Sequence, residues 1–279
     1  MIERSLVCLG PHGFYRMAYV EWPSPRSARR PILCVHGLTR NGRDFDALAA
    51  ALGKDAPVFC PDMAGRGQSE WLEHAEDYAY STYLGAAAAL LARLGASEVD
   101  WIGTSMGGIM GMMLAALPGS PICRLVLNDI GPLIPAAGLV RLATYVGSDP
   151  IFADAAALEA DLRRIAQPFG PLSNDDWRHL ARISTRVRSD GSLGYAYDPR
   201  IGNALRGEAK DIDLWATWDA IMAPTLVLRG AQSDLLRRED ARAMTERGSR
   251  AKLVELPGIG HAPALLAADQ IALIREFLD

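Results

Sequence analysis

The stretch VDWIGTSMGGIM, residues 99–110, joins a short apolar run to a glycine-rich helical segment through one serine. Residues 99–104 are predicted to form a buried strand, and a helix is predicted to begin directly after Ser105. Ser105 lies between Gly103 and Gly107 in the pattern G-x-S-x-G, which is typical of a sharp turn that exposes a nucleophilic serine. Because the pattern also arises by chance at glycine-rich strand ends, the rest of the chain must supply partners for this serine.

Apolar runs and helical stretches alternate through much of the 279 residues, as expected for a mostly parallel sheet covered by helices. The rhythm changes between Leu133 and Trp218, where helical patterns and prolines dominate and no convincing buried strand appears. We therefore predict an α/β core formed by residues 1–132 and 219–279, with residues 133–218 inserted as a helical lid. In an open α/β sheet the active site lies at the carboxyl ends of the strands, which this lid is expected to cover.

Composition and charge narrow the range of functions. The chain is 49% hydrophobic and 22% charged, so it can bury a sizeable core, and its net charge of −4 predicts no basic surface for nucleic acid or anionic membranes. Its apolar stretches are too short for a bilayer span, and its N-terminus does not resemble a signal peptide. Four cysteines without CxxC spacing are predicted to be buried apolar residues. We expect a cytoplasmic protein, and the sequence leaves its oligomeric state open.

A serine hydroxyl needs a base before it can act as a nucleophile, and five histidines are candidates. His261 is favoured because it follows the last predicted strand, in the stretch LPGIGHAP. His36 ends an earlier strand and is expected to shape the loop after it. The other three lie in a turn, a polar loop and a helix of the insert: His12, His74 and His179.

The base in turn needs a carboxylate to fix its tautomer and stabilise its cation. Asp234, in the stretch LVLRGAQSDLL, is preferred, although an aspartate there is also a good helix N-cap. Asp129, in LVLNDIGP, follows an earlier strand and is the alternative acid, because it also faces the carboxyl edge of the sheet. The preferred order along the chain is therefore Ser105, Asp234, His261.

The whole chain resembles a lid-bearing α/β-hydrolase and is similar to the small carboxylesterases and lactonases of that superfamily. The matching segments span residues 34–263 in order: CVHGLTRNGRDF, PDMAGRGQS, WIGTSMGGIMG, LVLNDIGP, LVLRGAQSDLL and GIGHAP. The resemblance implies a Ser105–Asp234–His261 triad and an oxyanion hole formed by the backbone N–H groups of Leu38 and Met106. Related dehalogenases often place the acid after the strand that carries Asp129, so that alternative stays open.

The expected enzyme is a carboxylic ester hydrolase that cleaves a small to medium apolar ester or lactone through an acyl-enzyme intermediate. No metal and no organic cofactor are expected, and the expected partner is the small-molecule substrate alone. Carbon–carbon bond hydrolases of this superfamily usually carry tryptophan after the catalytic histidine, where this chain has Ala262. That activity, cofactor-free perhydrolysis and a non-catalytic ligand-binding role remain as alternatives.

Candidate substrate-binding residues come from the loop after the first parallel strand and from the insert. Arg40 either meets a substrate carboxylate or pairs with Asp44 on the surface. The remaining candidates are His36, Tyr145 and Trp177. An apolar, partly aromatic cleft suits medium acyl or aryl groups.

Overall fold

The computed structural model describes residues 1–25 and 29–279. The strands in these ranges are, in chain order, β1 (Ile2–Gly10), β2 (Gly13–Trp22), β3 (Ile32–Val35), β4 (Val58–Pro61), β5 (Val99–Thr104), β6 (Ile122–Asn128), β7 (Leu133–Ile134), β8 (Thr185–Val187), β9 (Leu193–Tyr195), β10 (Ile212–Asp213), β11 (Thr225–Gly230) and β12 (Lys252–Leu256). Eight of these described strands form the central sheet, in the order β1-β2-β4-β3-β5-β6-β11-β12. This is the mostly parallel sheet that the sequence predicts.

Parallel pairing brings the carboxyl ends of the central strands to one edge of the sheet. Strands β3, β4, β5, β6, β11 and β12 run parallel, whereas the β1–β2 hairpin joins this block antiparallel through β4. In register, Gly103 of β5 lies beside Val35 on one side and Leu127 on the other. The residues that follow β3, β5 and β6 therefore emerge side by side.

Helices cover the sheet, and the side chains packed between the layers form its core. Their bounds are α1 (Asp46–Leu52), α2 (Tyr80–Leu94), α3 (Met106–Ala115), α4 (Ala136–Ala143), α5 (Ala155–Ile165), α6 (Asn174–Ile183), α7 (Trp215–Asp219), α8 (Arg238–Ala243) and α9 (Ala268–Leu278). Short 3-10 helices lie at Gly42–Phe45, Ala75–Asp77, Gln167–Phe169 and Pro199–Leu205. None of the helices in the described ranges has the length and apolar character of a transmembrane span.

The last helix starts later than the sequence predicts. Its pattern indicates a start at Pro263, but α9 begins at Ala268. The Pro263 carbonyl instead accepts a hydrogen bond from Asn128 Nδ2 at 2.8 Å, and Leu265 N–H donates to Gln270 Oε1 at 2.9 Å. These contacts hold residues 263–267 against the end of β6 in a non-helical path.

The insert is more varied than its helical pattern predicts. Besides α4, α5 and α6 it contains a hairpin of β8 and β9, and its two ends pair as β7 and β10, with Ile134 opposite Ile212. These strands are two or three residues long and lie outside the central sheet. Runs that short have no hydrophobic period, so the sequence does not predict them.

The cysteines are free, and Cys8, Cys34 and Cys60 are buried as predicted. Cys123 differs, because its burial is only intermediate. Beneath the serine turn, the indole N–H of Trp101 donates to the Gly107 carbonyl at 2.9 Å. This buried hydrogen bond fastens β5 to the first turn of α3 and holds the turn between them.

Candidate active site

Ser105 lies on the sharp turn between β5 and α3, with φ 51° and ψ −114°. A non-glycine residue in such a region costs about 1–3 kcal/mol, so the surrounding structure must hold it there. A Cβ atom on Gly103 would lie 2.3 Å from the Gly107 carbonyl oxygen, and one on Gly107 would lie 2.0 Å from the Val35 carbonyl oxygen. Both distances are far below contact, so the turn requires both glycines.

A row of hydrogen bonds links Ser105 to two other side chains. His261 Nε2 lies 3.0 Å from Ser105 Oγ, and His261 Nδ1 lies 2.9 Å from Asp129 Oδ2. The histidine side chain is 9% exposed, and the aspartate side chain is fully buried. An ionised carboxylate only accepts hydrogen bonds, so Nδ1 carries the proton and Nε2 is free to accept from the serine hydroxyl.

The last residue of β11 and the loop after it hold the Asp129 carboxylate in place. Gly230 N–H donates to Oδ1 at 2.7 Å, and Ser233 Oγ–H donates to Oδ2 at 2.5 Å. A Cβ atom on Gly230 would lie 2.3 Å from the Gly260 carbonyl oxygen, so glycine lets the end of β11 approach the segment before His261. Together with His261, these donors fix the orientation of a buried carboxylate.

The prediction that Asp234 is the acid is wrong, because His261 contacts Asp129 instead. Its side chain is 41% exposed and forms a bidentate ion pair with Arg141 of α4. Partial burial is the largest single effect and raises the pKa of Asp234, but the hydrogen bond to Arg141 and the positive charge of its guanidinium, together with smaller effects, hold that pKa below its usual value. The loop after β11 does reach the site, but it presents Ser233 to Asp129 and turns Asp234 outward.

The two backbone N–H groups that the sequence predicts for the oxyanion hole belong to residues near Ser105 in the fold. Met106 N–H is at the first position of α3, and Leu38 N–H belongs to the loop after β3. Within residues 1–25 and 29–279, neither group donates to a protein acceptor. The first N–H groups of a helix have no partner inside it and attract negative charge. Leu38 and Met106 both line a cavity that also contains Ser105.

The family model described as the alpha/beta hydrolase family matches residues 32–272. The chain belongs to the alpha/beta hydrolase family. It is similar to a 3-hydroxybutyrate-oligomer hydrolase of Cupriavidus necator, with 43% identity over 97% of this chain and 95% of the relative. Two solved structures have the same fold: a putative hydrolase from Rickettsia typhi and an alpha/beta hydrolase from Novosphingobium aromaticivorans.

These likenesses extend over the full length of the chain. The Rickettsia protein is 31% identical with a TM-score of 0.93, covering 100% of this chain and 99% of that one. The Novosphingobium protein is 36% identical with a TM-score of 0.88, covering 99% and 97%. The fold of this hydrolase-family protein therefore recurs over nearly the whole length of both proteins.

His36 does not reach the substrate space of this alpha/beta hydrolase. It is fully buried, its Nδ1–H donates to the Gly37 carbonyl at 2.7 Å, and Nε2 accepts from Met63 N–H at 2.9 Å. Burial lowers the pKa of His36 to about 3, so the ring is neutral near pH 7. His36 lines neither cavity at Ser105, so the prediction that it binds substrate is wrong.

Arg40 borders the site, but its charge is already paired. Its guanidinium forms a bidentate ion pair with Asp44, with Nη2 to Oδ1 at 2.6 Å and Nε to Oδ2 at 2.8 Å. Nη1 donates to Ser184 Oγ of the insert at 2.7 Å. Of the two predicted roles of Arg40, the structure contains the ion pair with Asp44. The hydrogen bond to Ser184 also links the insert to the core.

The two aromatic candidates of the insert have different positions. Tyr145 lines a cavity that contains Ser105 and His261. Trp177 is a buried residue of α6 and lines neither cavity at Ser105, and the guanidinium of Arg163 on α5 lies 5.4 Å from its ring centroid. Trp177 therefore contributes to the packing of the insert, and the prediction that it binds substrate is wrong.

Two cavities are lined by Ser105. The smaller, of about 90 Å³, is lined by His261 and Arg40, and the larger, of about 600 Å³, by Met106 and Ile109. Ser105, Leu38 and Leu142 line both cavities. Residues of the insert contribute to the walls of each: Tyr145, Tyr195 and Tyr197 in the smaller, and Leu139, Ile201 and Leu205 in the larger.

Ser233 was not predicted from the sequence, although it contacts Asp129 from the loop after β11. The signal for it is its place directly before Asp234 in RGAQSDLL, because a hydroxyl next to a candidate acid can contact the site.

In the described part of the chain, no group of three or more His, Cys, Asp or Glu side chains is arranged to hold a metal ion.

Proposed function

We propose that this alpha/beta hydrolase is a serine carboxylic ester hydrolase that works through an acyl-enzyme on Ser105. The observation that carries the proposal is the hydrogen-bonded row of Ser105, His261 and Asp129, with separations of 3.0 and 2.9 Å. These distances are those at which a general base removes a proton from a nucleophile and a carboxylate supports the base.

The proposed reaction has two halves. Ser105 Oγ attacks the ester carbonyl carbon while His261 Nε2 takes the hydroxyl proton, and Asp129 stabilises the resulting imidazolium. The Leu38 and Met106 N–H groups bind the oxyanion. The tetrahedral intermediate expels the alcohol, which takes its proton from His261. Water then attacks the acyl-enzyme with His261 as base and releases the acid.

The two cavities divide the substrate. The leaving oxygen must lie near His261 Nε2, which borders only the smaller cavity, so the alcohol part lies there. The acyl part then extends past Met106 into the larger, mainly apolar cavity of about 600 Å³. A space of that size is in the range of small-molecule sites and accommodates a medium acyl chain.

For the substrate class we propose short oligoesters of 3-hydroxybutyrate. The support is the Cupriavidus relative named a 3-hydroxybutyrate-oligomer hydrolase, which is 43% identical over 97% of this chain. An apolar acyl space beside a small leaving-group space also suits such a chain, which is built of short methyl-branched ester units.

We further propose that residues 133–218 act as a lid in a cytoplasmic enzyme that needs no cofactor, nucleic acid or membrane. Support for the lid comes from Leu142, which lines both cavities, and from the ion pair of Arg141 with Asp234, which ties α4 to the core. The net charge of −4 supports a small-molecule partner.

The test combines labelling with product analysis. A fluorophosphonate probe is expected to add once, on Ser105, as located by peptide mass spectrometry. The linear 3-hydroxybutyrate trimer should give dimer and monomer with the wild-type protein, and Ser105→Ala should lower the rate by several orders of magnitude.

The possible outcomes separate the parts of the proposal. Equal trimer hydrolysis by wild type and Ser105→Ala would contradict the serine mechanism. Hydrolysis of p-nitrophenyl butyrate without hydrolysis of the trimer would contradict the substrate class alone. A wild-type protein that neither labels nor cleaves any ester would favour the ligand-binding alternative.

A further inference from the structure

Arg66 is a buried cation without a carboxylate partner. Its side chain is fully buried, and within residues 1–25 and 29–279 no acidic group lies within ion-pair distance of it. Burying an arginine in this way costs several kcal/mol unless dipoles or a later charge compensate. It lies in the PDMAGRGQS loop, to which the catalytic proposal gives no role.

The guanidinium contacts both residues of the proposed oxyanion hole. Nε donates to the Leu38 carbonyl oxygen at 2.9 Å, and Nη2 lies 3.7 Å from Met106 Sδ. Nη1 donates to the Ala64 carbonyl oxygen and to Tyr83 Oη, both at 2.7 Å. The Tyr83 ring centroid lies 4.9 Å from Cζ, which adds a cation–π contact.

The loop that carries Arg66 is fixed at both ends. Asp62 accepts from Gly42 N–H at 2.7 Å and from Gln68 N–H at 2.8 Å, and Met63 N–H donates to His36 Nε2 at 2.9 Å. These contacts fix the loop on both sides of Arg66, and the guanidinium lines neither cavity beside Ser105. It touches no substrate, so any effect on catalysis must pass through Leu38 and Met106.

We propose that Arg66 is a positioning residue for the oxyanion hole, which it holds in shape and biases with a fixed positive charge. The inference rests on the proposed serine mechanism. The negative charge that compensates the buried cation is the oxyanion, which forms beside the two residues that Arg66 contacts. An arginine suits this place because its planar fork reaches three directions at once, which a lysine ammonium cannot do in the same geometry.

The test uses Arg66→Met, which keeps the bulk and removes the charge, and Arg66→Lys, which keeps the charge and loses the fork. With p-nitrophenyl butyrate, Arg66→Met is expected to lower kcat by about 10²–10³ and leave KM within about threefold. Affinity for a trifluoromethyl ketone, which forms a hemiketal oxyanion with Ser105, should fall by a similar factor. Arg66→Lys should recover at least about tenfold of the lost kcat, because it restores the charge.

A matched control is Arg30→Met, which removes a partly buried arginine that pairs with Asp100 at the opposite end of β5. It is expected to lower the melting temperature without changing kcat or ketone affinity. A folded Arg66→Met with wild-type kcat overturns the proposal, and so does a loss of kcat without a matching loss of ketone affinity. If Arg66→Met does not fold, Arg66→Lys alone decides, with a parallel loss of kcat and ketone affinity expected and unchanged values contradicting the role.

The two proposals fail in different ways. If the wild-type protein cleaves no ester and Ser105 is not labelled, the serine mechanism fails. If the wild-type protein is active and Arg66→Met is equally active, only the positioning role of Arg66 fails.

Discussion

Asp129 Oδ2 and His261 Nδ1 lie 2.9 Å apart, although the two residues follow different strands and are separated by 132 positions in the chain. The contact exists because β6 and β12 flank β11 in one parallel sheet, which brings their carboxyl ends to the same edge. It selects one of two aspartates that the sequence leaves open.

Replacing each aspartate by asparagine separates their roles. Asp129→Asn is expected to lower kcat by about 10⁴, because an amide can donate to His261 and favour the wrong tautomer. Asp234→Asn, which loses only the pair with Arg141, should keep kcat within about threefold. Initial rates with p-nitrophenyl butyrate, with melting temperatures as a folding check, measure both. A larger loss from Asp234→Asn would return the acid role to that residue.

The buried neutral His36 predicts a pH dependence of stability. Its folded pKa of about 3 lies below its ordinary value of 6.5, so below pH 6.5 the unfolded chain binds a proton that the folded one does not. Stability from this group is therefore complete above pH 6.5 and declines as the pH falls towards 3. Between pH 6.5 and 5 the loss is about 2 kcal/mol.

Urea unfolding of wild type and His36→Gln at pH 7.5, 6 and 5 measures this contribution. Glutamine can both donate and accept a hydrogen bond but does not titrate, so the stability advantage of the wild type should shrink on acidification. A constant difference across the three pH values would show that His36 is protonated in the folded state or is not the titrating group.

Two glycine substitutions test the turn at Ser105, one at a crowded position and one at an open position. Gly107→Ala is expected to abolish esterase activity, because the new Cβ would lie 2.0 Å from the Val35 carbonyl oxygen. Gly85→Ala, at an exposed helical position with no heavy atom within 4 Å of the new Cβ, should stabilise the protein by about 0.5–1 kcal/mol. Activity and chemical denaturation are measured for both. An active Gly107→Ala variant would mean that the turn can relax.

Filling the larger cavity should change acyl-chain preference. Leu139→Trp adds bulk to the larger cavity alone, so kcat/KM for p-nitrophenyl octanoate is expected to fall about tenfold or more, while the acetate is cleaved normally. Ile165→Trp, in the smaller cavity, should not shift the acyl-chain profile and serves as the matched control. The reverse pattern would place the acyl group on the His261 side.

Much of the α/β core can be predicted from the sequence because it depends on local patterns. The alternation of apolar runs and helical stretches predicts the parallel sheet. Gly103 and Gly107 predict a sharp turn, because a Cβ atom at either position would clash with nearby backbone. The late start of α9 and the short strands of the insert were missed for the opposite reason. They depend on single contacts, such as that of Asn128 with Pro263, and not on a repeating pattern.

By itself the sequence determined the α/β core, the position of Ser105 at a strand end and the placement of His261 after the last strand, because each depends on residues close together in the chain. Only the tertiary structure decided that Asp129 and not Asp234 meets His261, that Trp177 packs inside the insert, and that Arg66 reaches Leu38 and Met106. Strand order and loop direction set those contacts, and neither is encoded by neighbouring residues alone. From the sequence, either of two carboxylates at the same sheet edge can be the partner of the histidine. The structure decides between them, because the loop after β11 directs one of them towards solvent.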